Sequence, residues 1–309
     1  MLENKNWQFC EMVELNRQRD GRINFPYRYL KYATEAEVEE YKSLEIESKP
    51  FVEVCELFTP VELNFKWLTD ITDNKSIGDY KGISYGELED RVAVQAANYI
   101  FAVQVLIEHW KSFVGHYLRS EKVQGNKVED YYHDLKGSMS TRALIKALRN
   151  YLTHHARIPL RCGSGTDIDT GKIDFVIWVN KNELLSNTHF HADDRAAIEV
   201  MSDFFNLIPI LKTSRQEIER FQLLMYEVAL LSKKALTLRD KARDMQKRFG
   251  LEGHDFFLLK SSGILAEKSR THEFYRPTIN LEHIQLSWGL VRLIDTYDTG
   301  SKMAAEQEK

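Results

Sequence analysis

Between Leu88 and Tyr117 the apolar residues Leu88, Val92, Ala96, Tyr99, Val103, Leu106, Trp110, Phe113 and Tyr117 recur at steps of three or four. That spacing puts them on one face of an α-helix about eight turns long. So long an apolar stripe has to be covered along its whole length, and other helices are the natural cover. The aromatic members Tyr99, Trp110, Phe113 and Tyr117 are expected in a core or a dimer interface. A polar, glycine-ended break runs from Arg119 to Gly125, a second helical stretch follows, and Gly137-Ser138 closes it. The implied fold class is mainly α, a helical bundle.

A further amphipathic helix begins near Ser140. Its apolar positions Leu144, Ile145, Leu148 and Leu152 keep the same spacing, and Ser140 or Thr141 is the natural N-cap. Pro159 disfavours helical geometry at Ile158, which leaves His154 and His155 in or near the last turn. This segment, Leu148-Arg149-Asn150-Tyr151-Leu152-Thr153-His154-His155, carries a permanent cation, a carboxamide and titratable imidazoles. Those are the groups that metal-free cleavage of a phosphodiester uses. Asn150 and His154 share a helix face, whereas Arg149 lies about 140° around the axis from His154. Arg149 and His154 converge if the helix loosens near its end, or if a second copy of the chain sets its own motif opposite. The second arrangement gathers two arginines and two histidines in one cleft.

Arg149, Asn150 and His154 resemble the R-N-x-x-x-H signature of the HEPN superfamily (higher eukaryotes and prokaryotes nucleotide-binding domain), and His155 falls within the looser form of that spacing. The resemblance extends over roughly Ser84 to Phe205, because the signature stands on a late helix of a bundle, and it is specific around Arg149 to His154. It implies an HEPN-like helical bundle acting as a homodimer with a composite active site. The implied activity is metal-independent endoribonuclease cleavage that leaves 2′,3′-cyclic phosphate ends, as in many prokaryotic toxins and antiphage-defence proteins of this superfamily. Arg149 and His154 would be the catalytic pair, Asn150 would orient His154 or a phosphate oxygen, and Tyr151 and His155 would support them. No metal or other cofactor is implied. RNA is the implied substrate and a second copy the implied partner, joined by a cognate antitoxin or regulatory protein. The alternative is a non-catalytic HEPN-like module that binds a nucleotide or a protein.

Charge places any RNA contact locally, since the net charge of −4 gives no global basic character. The densest basic run, Lys233 to Arg248, is interspersed with Asp240 and Asp244 and reads as a solvated helix face. Cys10, Cys55 and Cys162 are odd in number and widely spaced, as suits a reducing compartment. The N-terminus is polar, and nowhere do 18 apolar residues run uninterrupted, so the expectation is a cytoplasmic protein without a membrane contact.

Three segments are expected along the chain. Residues 1–83 form an irregular and helical N-terminal cap, with an acidic helix from Thr34 to Ile46 and breaks at Pro50 and Pro60. Residues 84–249 form the bundle, interrupted near 158–180 by a β-hairpin. One strand of the hairpin is the β-branched and aromatic run Lys172 to Val179, its partner lies near Ile158 to Arg161, and Gly163 to Asp167 form a turn cluster. Helices resume at Asp193, with Ile218, Phe221, Leu224, Met225, Val228 and Leu231 as a core stripe. Residues 250–309 form a C-terminal extension whose tail after Gly300 is expected to be disordered.

Other constellations compete with the signature. His189-Phe190-His191-Ala192-Asp193-Asp194 has the look of the H-x-H-x-D start of a dinuclear metal site, but Asp194 stands where that pattern ends in His, and the following residues read as helix. On the plainer reading Asp193 and Asp194 cap that helix and the histidines lie in an exposed loop. Gly163-Ser164 with Asp167 and Asp169 resembles a nucleotidyltransferase G-S and D-x-D pattern, but the gap is too short to set the aspartates on a facing strand. His109 and His116, two turns apart on the long helix, read as surface residues.

Overall fold

A computed structural model describes residues 7–12, 16–17, 23–24, 27–73, 75, 77–123, 125–155, 157–166, 173–252 and 256–260. The tail after Gly300 and the Asp167/Asp169 pair lie outside the described residues. In chain order the elements are β1 (Trp7–Met12), β2 (Asn16–Arg17), β3 (Ile23–Asn24), β4 (Tyr27–Tyr32), α1 (Glu35–Glu56), α2 (Phe58–Thr72), α3 (Tyr85–Tyr117), β5 (Lys122–Val123), β6 (Asn126–Lys127) and α4 (Val128–Ser138). They continue as α5 (Arg142–His154), β7 (Leu160–Thr166), β8 (Ile173–Asn180), α6 (Lys181–Leu185), α7 (Ala192–Glu199), β9 (Phe204–Asn206), α8 (Leu207–Leu230), α9 (Lys233–Phe249) and β10 (Phe256–Lys260). The described residues are mainly helical, and none of their helices is long and apolar enough to cross a membrane.

The chain gathers into two compact units, one from the described residues of 1–53 and 229–309, the other from 54–228. In the first, β1 lies between β4 and β10, antiparallel to both, so segments from the two ends of the chain share one sheet. Phe9 is fully buried, its ring centroid 6.1 Å from Tyr41 of α1 and 5.6 Å from Phe249 of α9. Helix α1 runs straight through Pro50, which was expected to break it. A proline inside a helix costs about 3 kcal/mol, and burial of Val38, Tyr41, Leu44, Phe51 and Val52 on the same helix offsets that cost. Pro60 falls in the first turn of α2, where a missing N–H removes no helical bond. The basic run is α9, and it is partly committed: Lys241 pairs with Glu47 at 2.9 Å and Arg248 with Glu40.

The second unit is built around α3. Ser84 caps it, its hydroxyl accepting from the Glu87 N–H at 3.2 Å. Of the aromatic stripe, Tyr99, Trp110 and Phe113 are core, whereas Tyr117 near the helix end is half-buried. Its polar tips find partners on α8: the Tyr99 hydroxyl donates to Ser214 Oγ at 3.1 Å, and Trp110 Nε1 donates to Gln222 Oε1 at 2.7 Å. From α8, Ile218, Phe221, Met225 and Val228 are buried, whereas Leu231 falls beyond the helix end and is exposed. Burial pushes the Cys55 and Cys162 thiols up to about 12, which keeps both protonated and inert at neutral pH.

The strand β7 pairs antiparallel with β8, as the hairpin expectation had it, and β9 adds a third strand on the other side of β8. Gly163-Ser164-Gly165-Thr166, expected in a turn, belongs to β7. Gly165 makes room across the strand, since a Cβ there would come within 3.1 Å of Val176 Cγ1, whereas one on Gly163 would meet the Trp178 indole nitrogen at an ordinary 3.4 Å.

Helix α5 starts differently from its sequence expectation. Neither Ser140 nor Thr141 caps it with its own hydroxyl; both hydroxyls and both backbone N–H groups donate instead to the Glu217 carboxylate on α8, at 2.6–3.1 Å. Partial burial pushes the Glu217 carboxyl upward, but these four bonds outweigh it and hold it below the ordinary 4.5. A folded-state value below the unfolded one stabilises fully above pH 4.5, and that stabilisation disappears as pH falls through the lower folded value. Wild type should therefore exceed Glu217→Gln in thermal stability at neutral pH, and the gap should close in acid; a gap that stays constant in melting curves across that window would show that the charge of Glu217 contributes nothing.

Candidate functional site

Helix α5 anchors the signature through one face. Leu144, Ile145, Ala147, Leu148 and Tyr151 are buried, whereas Lys146, Arg149 and Asn150 are half-buried and His154 is exposed. The helix stays regular to His154, and His155 leaves it in extended geometry (φ −131°, ψ 142°) with its N–H still donating to the Tyr151 carbonyl at 3.0 Å. The helix end therefore does not loosen to carry Arg149 onto His154.

A side-chain chain joins Arg149 to the neighbouring helix. Arg149 Nη1 donates to Asn150 Oδ1 at 3.1 Å, and Asn150 Nδ2 donates to Asp194 Oδ2 at 2.7 Å. A guanidinium only donates and a carboxylate only accepts, so the chemistry of its two neighbours fixes which way the Asn150 amide faces. Asp194, only 1% exposed, sits in the first turn of α7, where the helix dipole favours a carboxylate, and Lys146 Nζ lies 3.6 Å from its other oxygen. The amide expected to orient His154 is thus committed to Arg149 and Asp194. Removing the carboxylate by Asp194→Ala leaves the amide and Lys146 without their buried acceptor, and should lower stability by about 1–3 kcal/mol; a melting curve that matches wild type would mean the carboxylate contributes nothing.

Arg149 has no carboxylate partner among the described residues, unlike the arginine of an ordinary surface ion pair. It is a half-buried cation whose fork is held from one side by a neutral amide. Such a group keeps donors for an anion.

His154 stacks on His189, ring centroids 4.3 Å apart and planes 19° from parallel. The backbone N–H of His189 is held by Oδ1 of the buried Asn187 at 3.1 Å. The H-x-H-x-D segment therefore meets the signature helix twice, through His189 and through Asp194. His191 takes the N-cap position of α7 without a side-chain cap bond. Among the described residues no group of three or more His, Cys, Asp or Glu side chains stands together to hold a metal ion. The sequence signalled this segment as chemically unusual but gave no sign that it would pack on α5.

Tyr151 and His155 form a pair of their own, stacked at 4.1 Å and 13°. Burial, then the nearby Glu183 carboxylate, raise the Tyr151 hydroxyl above its ordinary range, so it acts as a donor at neutral pH. His109 is exposed, and His116 bonds within its own helix, Nδ1 to the Ser112 carbonyl at 2.7 Å. Comparison with protein-family models, with curated proteins and with solved structures finds no match.

Proposed function

We propose that the chain is a metal-independent endoribonuclease of the HEPN type that acts as a dimer. The observation that carries this reading is the half-buried Arg149, free of any carboxylate among the described residues and steadied by Asn150 and the buried Asp194, on the same helix as the exposed His154. A structural arginine would be neutralised; a phosphate-binding one is kept open and aimed.

In this mechanism an imidazole takes the proton of the ribose 2′-hydroxyl, O2′ forms its bond to phosphorus, and the bond from phosphorus to O5′ breaks. A proton passes to O5′, so the products are a 2′,3′-cyclic phosphate and a 5′-hydroxyl. Arg149 stabilises the negative charge on the pentacoordinate phosphorus. His154 and Arg149 project about 140° apart on one regular helix, which is the support for a second copy supplying the complementary pair. The proposal places the protein among toxin or antiphage-defence nucleases, with a cognate antitoxin or regulatory protein as the expected partner.

The test is to incubate the purified protein with RNA in excess EDTA and analyse the termini of the fragments. Fragments with cyclic-phosphate ends from wild type, none from His154→Ala, and none from DNA are the expected outcome. Intact RNA from a folded wild-type dimer would overturn the nuclease and leave a nucleotide- or protein-binding module.

A further inference from the structure

Directly after the signature helix, the 54–228 unit contains a cleft of about 520 Å³ that the mechanism above does not use. Its size falls within the range of small-molecule sites, about 300–1,000 Å³. The stacked Tyr151 and His155 rings line it together with Trp178 of β8 and Phe204 at the start of β9. Two of these aromatics stand open to solvent, Trp178 at 39% exposure and Phe204 at 59%. Large aromatics left exposed around a concave site are platforms awaiting a flat partner. Trp178 packs against Gly163 of β7, its indole nitrogen at van der Waals distance from where a Cβ would stand.

The polar groups narrow the ligand. Asn180 caps α6, its Oδ1 accepting from the Asn182 and Glu183 N–H groups at 2.9 and 3.3 Å, which leaves its amide nitrogen as a donor. Glu183, exposed in the first turn of α6, presents a carboxylate acceptor three residues on. Two arginines stand at the rim, but both are paired, Arg157 with Asp90 and Arg161 with Glu89 at 3.2 Å. Neither rim arginine is therefore an uncommitted cation, and the polar groups left facing the cleft include the Asn180 amide and the Glu183 carboxylate. A flat, neutral ring whose edge carries both donors and acceptors fits it, and in the setting of a ribonuclease that ring is a nucleobase.

We propose that this cleft holds one unpaired base of the RNA substrate beside the scissile phosphate, stacked between the aromatic walls and read at its edge by Asn180 and Glu183. The proposal rests on the nuclease reading for its occupant. It also makes the enzyme selective for single-stranded RNA, because a base already paired and stacked in a duplex cannot enter.

The experiment measures binding of a short single-stranded oligonucleotide with 2′-O-methyl sugars, which lacks the hydroxyl proton needed for cleavage, by fluorescence anisotropy. Wild type, Trp178→Ala, Trp178→Phe and Phe204→Ala are compared, with cleavage of the ordinary RNA measured in parallel. Both aromatics are solvent-exposed, so their loss should leave the fold intact, and an unchanged melting curve verifies that. Trp178→Ala should weaken binding about tenfold, the scale of one lost base stack, while Trp178→Phe restores most of it and a duplex of the same sequence competes poorly. Equal affinity of wild type and Trp178→Ala would overturn the subsite even if RNA is cut. Trp178-dependent binding without any cleavage would keep the subsite and overturn the nuclease. The four nucleoside 5′-monophosphates serve as a second probe; binding as tight as that of the oligonucleotide would make this a free-nucleotide site and overturn its role in the substrate strand.

Discussion

RNA cleavage by Arg149→Ala should fall about 10²–10³-fold, the usual consequence of removing one donor from a developing oxyanion, and cleavage by His154→Ala about 10²–10⁴-fold, the range for a general acid or base. Both variants should keep the wild-type far-UV spectrum. His154 is exposed, and alanine is the better helix former, so its loss leaves α5 standing. Arg149 gives up one bond to Asn150, which Asp194 still holds. Groups that act together lose their effect together, so the double variant should be little worse than the weaker single one. Rates measured with RNA in EDTA decide the matter. Activity within a few-fold of wild type in either well-folded single variant would remove that residue from the chemistry.

The second large effect is on stability. Trp110 is fully buried between helices, with its ring edge-on to Phe113 at 5.6 Å and its N–H on Gln222, which in turn donates to the Cys55 carbonyl at 3.2 Å. Trp110→Ala opens a cavity worth about 3–5 kcal/mol and strands the Gln222 oxygen in an apolar interior, worth about 1–3 kcal/mol more. The sum is comparable to the whole stability of an ordinary domain, about 5–15 kcal/mol. Trp110→Ala should therefore be largely unfolded at 37 °C. Trp110→Phe keeps most of the volume and should lose only the hydrogen-bond part. Thermal denaturation of the two variants separates packing from the polar contact, and equal melting temperatures would show that the N–H carries the effect rather than the ring.

What the sequence revealed and concealed follows from range. Periodic positions a few residues apart decide a helix, so α3 and α5 could be read from the apolar steps alone, and the run of β-branched and aromatic residues marked β8. Features set by distant partners could not be read. Nothing near Ser140 and Thr141 shows that a carboxylate 77 and 76 residues away in sequence receives their hydroxyls and N–H groups. Pro50 was read as a breaker because local propensity has no term for the burial that keeps α1 whole. The glycines of β7 were read as a turn because what Gly165 does, leaving space for Val176, is decided by the neighbouring strand. The same holds for the site: Arg149 and His154 were visible, whereas Asp194 and His189 become partners only when α7 packs on α5.

One peptide bond separates the two stacks at the end of α5. His154 turns to His189 and the open face, while His155 turns to Tyr151 and the cleft. On the proposed nuclease reading, the residue beside the gripped base and the residue that cuts are consecutive, joined by one planar peptide. On that reading the offset between the base that is read and the bond that is broken should stay constant across substrates.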